Sequence, residues 1–127
     1  MSESEARERG LRVIEEMLGA GRAAEVREAW TALAPDFERY VVEFVAGEVW
    51  SRAGLDRRTK SLCTIAALAA LGRPQALELN IRMALRNGTS REEIVETLLQ
   101  IAPYAGFPAC WEGLTMVYQV FEEMGRG

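Results

Sequence analysis

The chain has 127 residues, 49% of them hydrophobic and 27% charged, with 15 basic side chains against 19 acidic ones and a net charge of −4. That is the length of one domain and the composition of a globular protein. The basic residues form no tract and no aromatic-basic stripe, so no nucleic-acid partner is expected. The longest strongly apolar run, about 62–71, falls well short of the roughly 20 residues of a membrane helix, so no membrane partner is expected either.

The opening "MSESEARERG" is charged and has no apolar signal core, which points to the cytoplasm. A first helix is predicted from about Glu3 to Leu18, stopped by Gly19, with "GAGR" as a flexible connector. A second covers about Ala23 to Leu33. Pro35 opens a third, "PDFERYVVEFVAGEVWS", where proline suits the first turn. Phe37, Tyr40, Val41, Phe44, Val45 and Val49 recur at helical spacing and give it a broad apolar face.

"RAGL" reads as a loop, and Asp56 as the N-cap of "RRTKSLCTIAALAAL". Gly72 closes that helix, Pro74 starts the next, and Asn87-Gly88 ends it. Ser90 to Glu93, "SREE", is a capping box that opens "EEIVETLLQIA". Pro103 is expected to end or kink this helix, "YAGFPA" to be irregular, and a last helix to run from about Ala109 to Met124. The helix over 60–71 is apolar nearly all round, so it is expected to be covered on several sides, in part by other subunits. The absence of any alternating strand pattern makes the fold all-α.

Cys63 and Cys110 lie far apart in sequence and read as reduced core thiols. With no histidine anywhere in the chain, a tetrahedral zinc site is not expected.

Several stretches then occur in a telling order: "WSRAGLDRRT", "ALGR", "ALRNG", "EEIVE" and "YAGFPA". Together, over about Gly47 to Ala109, they resemble the carboxymuconolactone decarboxylase family. The resemblance implies one domain over 1–127 with its core motif region at about 47–109. The implied fold is an alkylhydroperoxidase D-like bundle of about six helices that assembles as a homo-oligomeric ring, often a hexamer built as a trimer of dimers. It implies a cofactor-free decarboxylase, or isomerase, of a small carboxylated lactone or related cyclic acid in aromatic-compound catabolism. The alternative is a non-catalytic or substrate-diverged member that keeps the ring scaffold. A sister branch reduces disulfides or peroxides with C-x-x-C and a histidine four residues on. The matching positions here are Arg73 and Ala76, so thiol peroxidase chemistry is not expected.

The resemblance also gives weight to one odd residue, the asparagine inside "LELNIRMALRNG". Relatives usually carry a histidine where this chain has Asn80, and commonly another where it has Gln100. An amide donates and accepts hydrogen bonds but exchanges no proton near neutral pH, so both become candidate substrate-binding residues and not acids. Decarboxylation needs an oriented carboxylate, a sink for the electron pair, and a proton for the carbon left behind. Arg57, Arg58 and Arg82 are candidate carboxylate binders, with a helix-start salt bridge or a subunit contact as the favoured alternative for the first two. Arg82 follows Asn80 by two positions, roughly 200° around a helix, so the two cannot face one small ligand together. Glu48 is the candidate proton carrier, with an i,i+4 pair to Arg52 as the structural alternative. Trp50 is a candidate ligand platform, or simply core. The Tyr104 hydroxyl is a candidate catalytic donor to a carbonyl, or a buried tyrosine with one partner.

Overall fold

The computed structural model describes residues 3–126. All regular structure among them is helical, as the sequence requires: α1 (Glu3–Leu18), α2 (Ala20–Leu33), α3 (Pro35–Tyr40) continuing as a π-helical segment (Val41–Trp50), α4 (Arg57–Leu71), α5 (Pro74–Arg86), α6 (Arg91–Ala105) and α7 (Phe107–Arg126). These form two compact units, residues 1–55 and 56–127.

In the N-terminal unit, α1 and the π-helical segment lie against each other at a distance set by two glycines. A Cβ on Gly10 would overlap the Val42 carbonyl oxygen, and one on Gly47 would overlap the Ala6 carbonyl oxygen. This contact turns the predicted face of the third helix around. Val42, Ala46 and Gly47 are the buried residues, whereas Phe37, Tyr40, Phe44, Val45 and Val49 are exposed. Small residues win the inner side because backbone can pack on backbone there, and the wide π turn rotates the larger side chains outward. Among the described residues of this unit one charge is buried. The Glu38 carboxylate, 6% exposed, accepts from both Nη atoms of Arg7 at 2.9–3.0 Å and from Nε of Arg27 at 3.3 Å. The Arg7 hydrogen bond, more than the Arg27 charge, holds this carboxyl below its ordinary range, against the opposing effect of burial.

In the C-terminal unit four helices close around Ile65, Ala69, Leu77, Ile81, Ala84, Ile94, Leu98, Val117 and Val120. Each fully buried isoleucine or leucine here contributes about 1.5–3 kcal/mol. Local signals hold at the helix ends. The Asp56 carboxylate accepts from the Thr59 amide at 2.7 Å, Gly72 closes α4 in the left-handed region, and Ser90 and Glu93 form the reciprocal capping box. A buried polar contact ties α4 to the end of α5, where Nδ2 of Asn87 donates to Oγ of Ser61 at 2.9 Å.

Four expectations need correction. The "GAGR" connector shrinks to Gly19, and "YAGFPA" to Gly106, each a single residue at positive φ that separates two helices. Seven α-helices plus the π-helical segment result among the described residues, in keeping with the expected bundle of about six. Pro103 neither ends nor breaks α6, which runs on to Ala105. It sits in the last turn, where only the Leu99 carbonyl loses its donor, and Leu99 is exposed. Cys110 is buried as expected, but Cys63 is exposed, because the chain covers only the Ser61, Ile65, Ala69 stripe of α4.

Candidate functional site

The predicted site residues divide between the two units. Arg57, Arg58, Asn80, Arg82, Gln100 and Tyr104 belong to the C-terminal unit, Glu48 and Trp50 to the N-terminal one.

In the C-terminal unit most of these side chains are already engaged. Asn80 turns back on its own helix, its Nδ2 donating to the Ala76 carbonyl at 2.9 Å. Arg82 bonds Glu78 at 3.2 Å and also Glu123 of α7, so its charge is neutralised twice over. As the helical offset required, Asn80 and Arg82 do not share a task. Arg58 pairs with Glu93, which is the structural alternative for that residue, and Arg57 is half-buried in the first turn of α4. Tyr104 is 85% exposed at the end of α6, so its hydroxyl is not the buried, singly bonded group that the structural alternative required.

Two cavities among the described residues of this unit bear on the site. The larger, about 470 Å³, is an open groove between α4 and α6 with Leu62, Ala66 and Ile101 on its floor. Gln100 stands on its rim with Glu92, Glu93 and Glu96. Glu93 is paired with Arg58, which leaves the Glu92 and Glu96 carboxylates beside an apolar trough with no cation among its lining residues, so the groove is a poor fit for a carboxylated lactone. The smaller cavity, about 60 Å³ beside Arg73, Leu77 and Met116, is far below the roughly 300 Å³ at which ligand pockets begin.

The N-terminal unit carries a different kind of site. Arg9, Phe44, Glu48, Val49 and Arg52 line an open bowl of about 480 Å³. Two cations and one carboxylate give it a positive balance, and Phe44 and Val49 supply an apolar wall. The bowl owes its shape to the end of the π-helical segment. The Arg52 amide, which would extend the π ladder to Gly47, bonds the Val49 carbonyl instead, at 3.2 Å. The Gly47 carbonyl is thus left for side chains, and it accepts from Ser51 Oγ at 2.6 Å and from Arg9 Nε at 2.6 Å. Arg9 Nε also reaches Ser51 Oγ at 3.3 Å. A cation at a helix C-terminus is further favoured by the helix dipole.

Glu48 therefore lies in a cavity, as its proposed role requires, but it is exposed, without the burial expected of it. Trp50 is half-buried at the end of the segment and is not among the bowl's lining residues. Arg9 escaped the sequence reading altogether. It sits in a run of charges that looks like a solvated helix face, and nothing near it in sequence marks its contact with Gly47.

Comparison with known proteins agrees with the helical architecture. The sequence model of the carboxymuconolactone decarboxylase family matches residues 35–118. The 4-carboxymuconolactone decarboxylase of Acinetobacter baylyi is 38% identical over 125 residues, covering 98% of this chain and 93% of that protein. The nitrosuccinic acid decarboxylase of Metarhizium robertsii is 31% identical over 117 residues, 91% of this chain and 80% of that protein. An uncharacterized 15.0 kDa protein from the nqo9–nqo10 intergenic region of Paracoccus denitrificans is 35% identical over 98 residues, 75% of this chain and 72% of its own length. With a family match over most of its length and near full-length similarity to a decarboxylase, this all-helical chain belongs to the carboxymuconolactone decarboxylase family.

Proposed function

We propose that this protein is a cofactor-free decarboxylase of a small acid that carries its own electron sink and a second carboxylate, with a carboxylated unsaturated lactone as the default substrate. The observation that carries the reading is the 38% identity to a 4-carboxymuconolactone decarboxylase over 98% of the chain. The second named substrate, nitrosuccinic acid, has a different skeleton but the same chemical plan. In both, one carboxylate departs, another stays, and a neighbouring group takes up electrons: a conjugated lactone carbonyl in one case, a nitro group in the other.

The reaction then asks little of the protein beyond placement and a proton. The bond between carbon and the leaving carboxylate breaks, CO2 departs, and the electron pair moves into the substrate's sink. A proton added to the resulting carbanion, at the carbon that lost CO2 or at the conjugated carbon next to the sink, completes the balance. We assign the relay of that proton from water to Glu48, the carboxyl among the residues that line the bowl. Tyr104, at 85% exposure, stays a candidate donor to the sink oxygen only where a second subunit closes over it.

The engaged side chains of Asn80, Arg58 and Arg82 favour a member whose pocket has moved away from the histidine positions of its relatives. A substrate-diverged enzyme is therefore the second reading.

The test is CO2 release from purified, folded protein given 4-carboxymuconolactone and, separately, nitrosuccinate. Turnover on the order of 1–10³ s⁻¹ with either acid is expected of a working enzyme. Release no faster than the uncatalysed background with both would overturn the decarboxylase reading.

A further inference from the structure

We propose that the N-terminal bowl is a carboxylate-binding site and that Arg9 is its anchor, gripping the carboxylate that the substrate keeps. The substrate class rests on the decarboxylase reading above; the binding site rests on the bowl itself.

Arg9 is built as a pre-set fork. Its Nε is spent on the Gly47 carbonyl at 2.6 Å and Ser51 Oγ at 3.3 Å, and Ser51 is in turn tied to the same carbonyl. These contacts fix the plane of the guanidinium, and no ion pair among the described residues takes its two Nη groups. A planar pair of N–H donors held in one orientation matches a carboxylate in bidentate geometry, at reduced entropic cost because the side chain is already ordered. By contrast, Arg82 and Arg58, two of the three cations the sequence singles out, are neutralised by glutamates.

The surroundings agree with an organic acid. Phe44 and Val49 are 57% and 43% exposed and face the same bowl as Arg9, so an apolar ring can rest on them while its carboxylate meets the fork. Arg52 adds a second positive charge. Glu48 stands in the same cavity, which places the proton relay beside the ligand.

The anchored carboxylate is the retained one for an energetic reason. A guanidinium clamped on the departing carboxylate would stabilise charge that the transition state is losing, and so would raise the barrier. A clamp on the carboxylate that stays holds substrate and transition state alike and positions the reacting carbon.

The experiment uses paraconate, a stable saturated γ-lactone bearing one carboxylate, and its neutral methyl ester. Binding to the full-length protein is measured by calorimetry and by shifts of the arginine side-chain resonances. Paraconate is expected to bind and to shift the Arg9 signals, with the ester at least about tenfold weaker, the scale of a charge-assisted hydrogen-bond pair. Arg9→Gln should lose about tenfold for paraconate and nothing for the ester. Glu48→Gln, on an exposed side chain, should tighten paraconate by about threefold, as removal of one exposed like charge does. Because that change goes the opposite way, a damaged fold cannot produce it. Equal affinity for acid and ester, or unchanged paraconate binding in Arg9→Gln, would overturn the site. Arg9-dependent binding without CO2 release would keep the site and sink the decarboxylase reading. CO2 release indifferent to Arg9→Gln would do the reverse.

Discussion

Glu38 shows how one buried residue carries a pH dependence. Its carboxylate is ionised against Arg7 and Arg27 and its pKa is lowered from the ordinary 4.5. A group with a depressed folded-state pKa contributes stability that is fully present above its unfolded pKa and is lost as pH falls through the folded one. Thermal melts between pH 7 and pH 3 are therefore expected to be flat down to about 4.5 and then to fall. Glu38→Gln should lower stability at pH 7 by about 1–3 kcal/mol, because Arg7 and Arg27 lose a buried charged acceptor. It should also flatten the acid limb; an acid limb as steep as the unmutated protein's would assign the loss to other carboxylates. Arg7 and Glu38 lie far apart in sequence, and nothing in the pattern of charges announces the pair. The same is true of Arg9 and Gly47. Residues whose role is local were legible: Asp56 and the Ser90–Glu93 box act within one helical turn, and the sequence alone places them.

At the level of elements, local rules failed where tertiary contact overrode them. Periodicity finds an apolar face on the third helix, but the close approach of α1 at Gly10 and Gly47 selects the opposite side as the buried one. Two consequences can be measured. Gly10→Ala places a methyl group on the Val42 carbonyl and should destabilise the protein by about 1–3 kcal/mol or more, the cost of overpacking. Gly47→Ala should do likewise, and because both insert atoms into the same contact, the double variant should cost less than the sum of the single ones. Urea unfolding of the three variants decides this; strict additivity would mean that the two glycines do not share one contact. Pro103 teaches a milder lesson. A proline in a last helical turn removes one bond to an exposed residue, so the helix persists past it.

For the molecule as a whole, the family match crosses from one compact unit into the other, since residues 35–118 include parts of both. The fold class was readable from helical periodicity and caps, and the family from motifs dispersed across 47–109. Of the candidate site only Glu48 was, because Arg9 joins it only through the contact between α1 and the π-helical segment. A single chain also shows much aromatic surface: Tyr104, Phe107 and Trp111 are 85%, 75% and 74% exposed. Patches of this kind commonly mark association surfaces. Light scattering is expected to give a multiple of the 14.1 kDa chain mass, sixfold for the ring that the resemblance implies. Trp111→Lys should shift the distribution towards smaller species. A monomer at micromolar concentration would overturn that expectation.

The glycine contact bears on how tolerance to substitution should be interpreted in this chain. Gly47, which has no side chain and takes no part in chemistry, is next to Glu48, the candidate proton relay. In a growth-based mutational scan both positions would appear intolerant, and neighbouring silence would look like one active-site motif. The amount of folded protein separates them. Substitutions at Gly47 should deplete it by forcing α1 away, while those at the exposed Glu48 should leave abundance intact and remove only turnover. Intolerance at this bend would therefore record two different demands, one for a backbone that fits and one for the carboxylate that the proposed reaction uses.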